Sequence, residues 1–299
     1  MRPAAPNLNE SERRTGLRAA LAAYVMWGFL PLYLLLVRAV PAFEFVAWRI
    51  VWTLPVCLLI VAVRRQGTEL RRVLRDRRSM LWLTLSSVLI AINWFVYVWA
   101  IQADEVYAAS LGYYINPLLN VLLGTLILGE TLSPAKWFAV ALAGFGVSLL
   151  AGGALTTLWI SLTLAFSFGI YGLVRKQVPV GALPGLTIES ALLLLPSAAI
   201  AIWYARTQGS SFAQSLDLSL LIMLGGVLTA VPLLCFAVAA RRMAYSTLGF
   251  IQFLAPSIVF VLGLTVFGEP LETVEIACFA CIWAAAAIFV VDLVRQPAG

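Results

Sequence analysis

Apolar residues in this chain gather into runs of about twenty, separated by short polar or basic stretches. Ten such runs can be marked, at roughly 17–37, 43–63, 80–102, 106–129, 134–152, 155–174, 184–204, 217–240, 245–268 and 272–294. A helix rises about 1.5 Å per residue, so about 20 residues cross a hydrocarbon core about 30 Å thick. The pattern predicts an all-α integral membrane protein with ten transmembrane helices. The first run resembles a secretory signal in position, but it is too long for one and nine more follow. It is expected to stay in the protein.

Composition agrees with a lipid solvent. Apolar residues make up 62% of the 299 positions and charged ones 11%, with a mean hydropathy of +0.97. A soluble domain is nearer one-half apolar and about one-quarter charged. The net charge of +6 comes from basic residues placed between the apolar runs. That placement marks membrane topology and excludes nucleic acid as a partner. Cys57, Cys235, Cys278 and Cys281 all fall inside apolar runs, and histidine is absent. Cys278 and Cys281 form a CxxC, which on a membrane helix puts two small thiols on one face. No metal site and no cofactor is expected.

The basic residues also orient the chain. With the N-terminus inside, the inner side receives Arg2, Arg13, Arg14, Arg18, the seven arginines of segment 64–79, Lys136, Arg175, Lys176, Arg241, Arg242 and Arg295. The outer side receives Arg38 and Arg206, beside Glu44, Asp104, Glu105, Asp217, Glu272 and Glu275. Seventeen against two places both termini in the cytoplasm. Segment 64–79 reads as a topology-setting loop, with contact to anionic lipid as the sharper alternative.

A long-range repeat gives the pattern its functional meaning. AASLGYYINPLLNVLLGTLILGE at 108–130 returns as TLGFIQFLAPSIVFVLGLTVFGE at 247–269, 139 positions later. Pro117 answers to Pro256, Gly124 to Gly263, and Gly129-Glu130 to Gly268-Glu269. Asn93 to Tyr97 aligns with Pro232 to Phe236, Trp27-Gly28 with Phe168-Gly169, and Pro55 with Pro196. Each unit holds five spans, an odd number, so the second copy enters from the opposite face. The expected organisation is a tail at 1–16, one five-helix unit at 17–152, its inverted copy at 153–294, and a tail at 295–299. Inverted repeats let one fold exchange inward- and outward-open forms. Pro117 and Pro256 are expected to break their helices by freeing the carbonyls of Tyr113 and Gln252. Gly129-Glu130 and Gly268-Glu269 read as helix stops, with Ser133-Pro134 opening the next helix.

Polar residues at depth mark the candidate site. Asn93 lies about 20 Å from the inner end of its span, with Tyr97 one turn further on the same face. Asn116 and Asn120, and Tyr24 and Trp27, pair at helical spacing near the middle. A buried amide must find a helix, water or ligand, so these six are candidate substrate-binding residues, against the plain alternative of ties between helices. A mostly aromatic cavity with a few amides suits a small, partly apolar solute and suits a strongly anionic one poorly, since only Arg49 could supply positive charge. Arg49 and Glu189, at matching places in the two copies, are candidates for gating or coupling. The blander reading has Arg49 snorkelling outward and Glu189 near a helix N-terminus.

NWFVYVWAI at 93–101, ASLGYYINPLLNVLLG at 109–124, LGETLS at 128–133 and STLGFIQFLAPS at 246–257 resemble the RarD branch of the EamA-type drug/metabolite transporters. The resemblance runs over essentially the whole chain. It implies two inverted five-helix EamA units in a bacterial inner membrane, transporting a small metabolite or drug. The second copy reads FGE where the family pattern has LGE.

The leading expectation is a secondary transporter, not an enzyme, whose partners are a small-molecule substrate and the bilayer, with a homodimer as an option. No Walker A motif is present for direct ATP drive. An intramembrane enzyme acting on a lipid-soluble substrate is the alternative, though it would lack histidine as a base. A receptor or scaffold is the third, and would need neither amides at depth nor paired helix breaks.

Overall fold

The computed structural model describes residues 10–103, 105–151, 156–268 and 273–295, and the regular elements among them are helical. In chain order they are α1 (Glu10–Leu36), α2 (Ala42–Val63), α3 (Gly67–Arg75), α4 (Arg77–Gln102), α5 (Val106–Leu126) and α6 (Pro134–Ala151). The second half adds α7 (Leu158–Gln177), α8 (Ala182–Thr207), α9 (Leu216–Arg242), α10 (Tyr245–Gln252), α11 (Leu254–Leu262), a π-helical turn (Gly263–Phe267) and α12 (Thr273–Arg295). In hydrocarbon a backbone must satisfy its own amides, which a helix does. Among the described residues nine helical stretches are long and apolar enough to cross a membrane, Tyr245–Phe267 counting as one. α5 has 21 residues but carries Asn116, Pro117 and Asn120, and it falls outside that set. Leu59, Val63, Leu126 and Leu195 are each about two-thirds exposed or more, as a lipid-facing surface requires.

Helix ends follow local chemistry. Gly129 and Gly268 have φ of 71° and 67°, left-handed values that a Cβ disfavours, so both copies stop their helices on a glycine. α6 opens at Pro134, and the Ser133 hydroxyl accepts the Lys136 amide at 3.2 Å. Asp76 caps α4 by accepting the amides of Arg78 and Ser79 and the Ser79 hydroxyl. The Ser79 hydroxyl, ahead of the two amides, holds its carboxyl below the usual carboxylate range.

Three expectations change. α1 already begins at Glu10, so the described part of the 1–16 tail is helical, and Gly16 packs where an added Cβ would meet the Arg242 Cβ at 2.9 Å. Segment 64–79 holds the helix α3, whose Leu70 and Val73 pack against Leu83, Val178, Val180 and Ile188. Its apolar residues recur every three or four positions, which the dense arginines mask in a span search. Pro117 does not end its helix: α5 is continuous through it. A proline removes one amide donor, and the bonds on either side can carry the helix past that gap. Pro256 differs, because the helix divides at Phe253, between α10 and α11, and Pro256 then sits in the first turn of α11, where no amide is needed. Glu269, with residues 1–9 and 296–299, Asp104 and Glu272, lies outside the described residues.

The helices pack in defined pairs. α6 lies on α12, α2 on α8 and α9, α1 on α9 and α11, α7 on α4 and α5, and α5 on α10. Small residues permit the closest approaches, as expected where lipid provides no hydrophobic drive between helices. A Cβ on Gly146 would meet the Cys281 Cβ at 2.8 Å and the Cys278 carbonyl at 3.0 Å, so the CxxC serves as a small surface between α6 and α12. At Gly249 a Cβ would lie 2.6 Å from the Pro117 carbonyl, which brings α10 onto the proline of α5.

Candidate functional site

A cavity of about 10 Å³ lies between α2, α4, α7, α8 and α9. It is bordered by Thr53 of α2, Ile90 and Trp94 of α4, Tyr171 of α7, Glu189 and Ser190 of α8, and Leu233 of α9. That is room for about one water molecule. A larger cleft of about 320 Å³ lies between α1, α11 and α12, but apart from Ser257 and the Trp283 indole its walls (Phe29, Ile258, Val261 and Leu262) are apolar.

Glu189 is the buried charge of the chamber, at 2% exposure. It lies about two turns into α8, too far along for the end of the helix to account for it. The Arg175 guanidinium stands 3.6 Å from Oε1, the Ser86 hydroxyl donates to the same oxygen, and the Tyr171 hydroxyl approaches Oε2 at 3.4 Å. Arg175 also donates to the Ala182 carbonyl at 3.0 Å. It is wholly buried, and a Cβ on Gly185 would collide with its guanidinium. Arg175 is therefore not a loop cation that only sets topology. It belongs to the last turn of α7, one turn beyond Tyr171, and its side chain turns into the bundle. The sequence held the signal for this: a carboxylate at depth requires a cation, and Arg175 shares a helical face with Tyr171.

The asparagines form a second centre. Asn116 donates to the Ala165 carbonyl at 2.8 Å and accepts from the Gln252 amide at 2.7 Å. Asn120 donates to Gln252 Oε1 at 2.7 Å and to Asn116 Oδ1 at 3.2 Å, and Tyr24 approaches the same Gln252 oxygen at 3.4 Å. Gln252 joins α1, α5 and α10 at the point where the second-copy helix divides. Sequence reasoning missed it because the matching first-copy position, Tyr113, is an aromatic that takes no part in the network. Asn93 donates to the Leu164 carbonyl at 2.9 Å and to Ser167 at 3.0 Å, tying α4 to α7. Trp27 is held in an aromatic group with Tyr24, Phe168 and Phe236, at centroid separations of 5.6–5.9 Å. Tyr97 meets Tyr113 edge to face at 5.7 Å. The six sequence candidates thus do not surround one space.

Arg49 and Glu189 do not pair. Counted from Pro55 and Pro196, Arg49 answers to Ser190, and Glu189 sits one residue earlier. One helical residue is about 100° of rotation, so matching depth does not mean matching face. Arg49 lies over the rings of Trp94 and Phe45, its guanidinium carbon 5.1 Å and 5.9 Å from their centroids. Two further carboxylates, near span ends, are buried or bridging. Glu44, at 0% exposure, accepts the Ser211 amide and hydroxyl, each at 2.7 Å, and the Ser210 hydroxyl at 3.1 Å. Glu130 accepts the amides of Tyr245 at 2.6 Å and Ser246 at 2.8 Å, capping α10 from the other copy.

Comparison with known proteins fits this arrangement. Residues 14–152 match the EamA-like transporter family. A Vibrio cholerae protein named as an uncharacterized transporter is 42% identical over 288 residues, covering 95% of this chain and 94% of its own. Protein RarD of Salmonella typhi is 42% identical over 296 residues, covering 96% and 98%. A solved crystal structure with 19% identity superposes with a TM-score of 0.74 over 95% of this chain and 100% of that one, a likeness of fold alone. Helices and relatives together define a multi-pass membrane transporter. The chain belongs to the EamA-like transporter family, in its RarD-type branch.

Proposed function

We propose that the protein is a secondary transporter of a small metabolite or drug, built from ten spans in two inverted five-helix halves and working by alternating access. The carrying observation is that helix contacts occur in matched sets. α1 on α9 answers to α7 on α4, and α11 on α1 answers to α5 on α7. α2 with α8, and α6 with α12, pair spans of the same rank in each half. Single residues repeat the relation. A Cβ on Gly28 would meet Ile258 at 2.7 Å, and one on the matching Gly169 would meet the matching Leu119 at 2.9 Å. Two near-equivalent halves can exchange conformations, which opens the bundle first to one side and then to the other.

A chamber the size of a water is a closed state in this reading, so passage requires the helices around Glu189 to separate. Glu189 with Arg175 is assigned to coupling or gating. Asn93, Asn116 and Asn120 act as ties that exchange partners between states, while Tyr24, Trp27 and Tyr97 contribute ring surfaces to the path. Both termini are assigned to the cytoplasmic side of a bacterial inner membrane, on the seventeen-to-two basic bias.

Counterflow of labelled metabolites in liposomes is the test. Exchange lost in Glu189→Gln with normal expression supports the reading. Product formation without exchange would indicate the enzyme alternative. Single cysteines at positions 70 and 105, in a background without native cysteines, should label from opposite sides, and labelling of both from outside overturns the orientation.

A further inference from the structure

We propose that Arg49 is the anion-recognising group of a binding site for small aromatic monocarboxylates, with the carboxylate on its guanidinium and the ring against Trp94 and Tyr97. This deepens the transporter reading and rests on it. Buried nitrogens without a hydrogen-bond acceptor also occur on Arg175 (Nε and Nη1) and Arg241 (Nη1), but Arg175, Lys136 and Lys176 each face a carboxylate or carbonyls. Arg175 faces Glu189 at 3.6 Å, Lys136 faces Asp292 at 3.6 Å, and Lys176 donates to the carbonyls of Ala240 and Met243 at 3.0 and 2.6 Å. Arg49 has rings instead. Among the described residues no carboxylate pairs with it, and its Nε is shut from solvent with no acceptor. Its ionisable neighbours are the phenols of Tyr33, Tyr97 and Tyr113. One turn on, Trp52 Nε1 is likewise buried without an acceptor. Arg49 as a whole is half-buried, and it is the Nε donor that is withheld from water.

The ligand class follows from these features. One unmatched cation calls for one negative charge. A guanidinium fork matches the two oxygens of a carboxylate and binds them in parallel. The surrounding rings favour a flat, apolar body over a polar one. Trp94 lies over Arg49 and also borders the Glu189 chamber, so a ligand held at Arg49 stands at the chamber's edge. A single negative charge is compatible with the expectation that a strongly anionic solute suits the site poorly, because Arg175 faces Glu189 and Arg49 is the cation left for a ligand.

The test measures binding by intrinsic tryptophan fluorescence of the full chain in nanodiscs, with phenylacetate and its neutral isostere phenylacetamide as probes. Phenylacetate should bind saturably and at least about tenfold more tightly than the amide, a difference of about 1.4 kcal/mol. Arg49→Gln should erase that preference, and Arg49→Lys, which keeps the charge but not the fork, should retain part of it. Equal affinity for the two probes, or no saturation by phenylacetate up to about 10 mM, overturns the proposal. A preference that survives in Arg49→Gln also overturns it. If Arg49→Gln does not fold, the wild-type comparison and Arg49→Lys decide. Because binding is read without flux, acid binding with no counterflow would sink the transporter reading alone. Counterflow with no preference for acid would sink this one alone.

Discussion

Arg49 on α2 and Glu189 on α8 stand at neighbouring positions of corresponding helices, yet the bundle treats them oppositely. Glu189 is enclosed: a guanidinium, a serine hydroxyl and a tyrosine hydroxyl all address its carboxylate. Arg49 is held by the faces of Trp94 and Phe45, and its Nε has no acceptor. A buried pair is costly to disrupt, because removing one partner strands a charge in a medium that cannot solvate it. A group held only by ring faces has less to lose when it is replaced. The two charges therefore differ in what holds them: side-chain donors at Glu189, ring faces at Arg49.

The largest expected effect comes from stranding the enclosed charge. Arg175→Met should destabilise the protein by about 3–5 kcal/mol in a reversible unfolding assay in mixed micelles. Adding Glu189→Gln to that variant should recover most of the loss. A single variant as stable as wild type would show that the pair carries no structural weight. Next comes Glu130→Ala, which removes both carboxylate bonds to the start of α10 and should cost about 1.5–3 kcal/mol in the same assay. Unchanged stability there would mean that water replaces the cap.

Asn120→Leu should cost less, about 1 kcal/mol, because interhelical hydrogen bonds in membranes are worth little on average. The discriminating readout is a larger change in counterflow than in stability, as ties that exchange partners would give. The smallest stability effect belongs to Arg49→Gln. It should stay within about 1 kcal/mol of wild type, the scale of the cation–π contacts alone. A loss comparable to that of Arg175→Met would erase the contrast between the two sites.

Much of the architecture was legible along the chain. Runs of apolar residues marked the spans, Gly129 and Gly268 marked their stops, and Pro134 marked the start of α6. These signals are local: each depends on a residue's own conformational range or on a length set by the bilayer. α3 escaped because its few apolar residues lie among arginines. Pro117 and Pro256 looked equivalent, but only the second stands near a division of its helix. The same covalent defect leaves α5 continuous, where α10 crosses it closely enough that a Cβ on Gly249 would lie 2.6 Å from the Pro117 carbonyl.

The sequence by itself determined the solvent, the approximate spans, the repeat and the polar residues that lipid would not tolerate unpartnered. Only the tertiary structure decided which residues meet. It turned Arg175 inward to Glu189, brought Gln252 to the two asparagines of α5, and left Arg49 facing rings. Spans and stops follow from one helix and its solvent. A partner depends on the rotation and tilt of several helices at once, and one residue of register, about 100° around the axis, changes which face a charge presents.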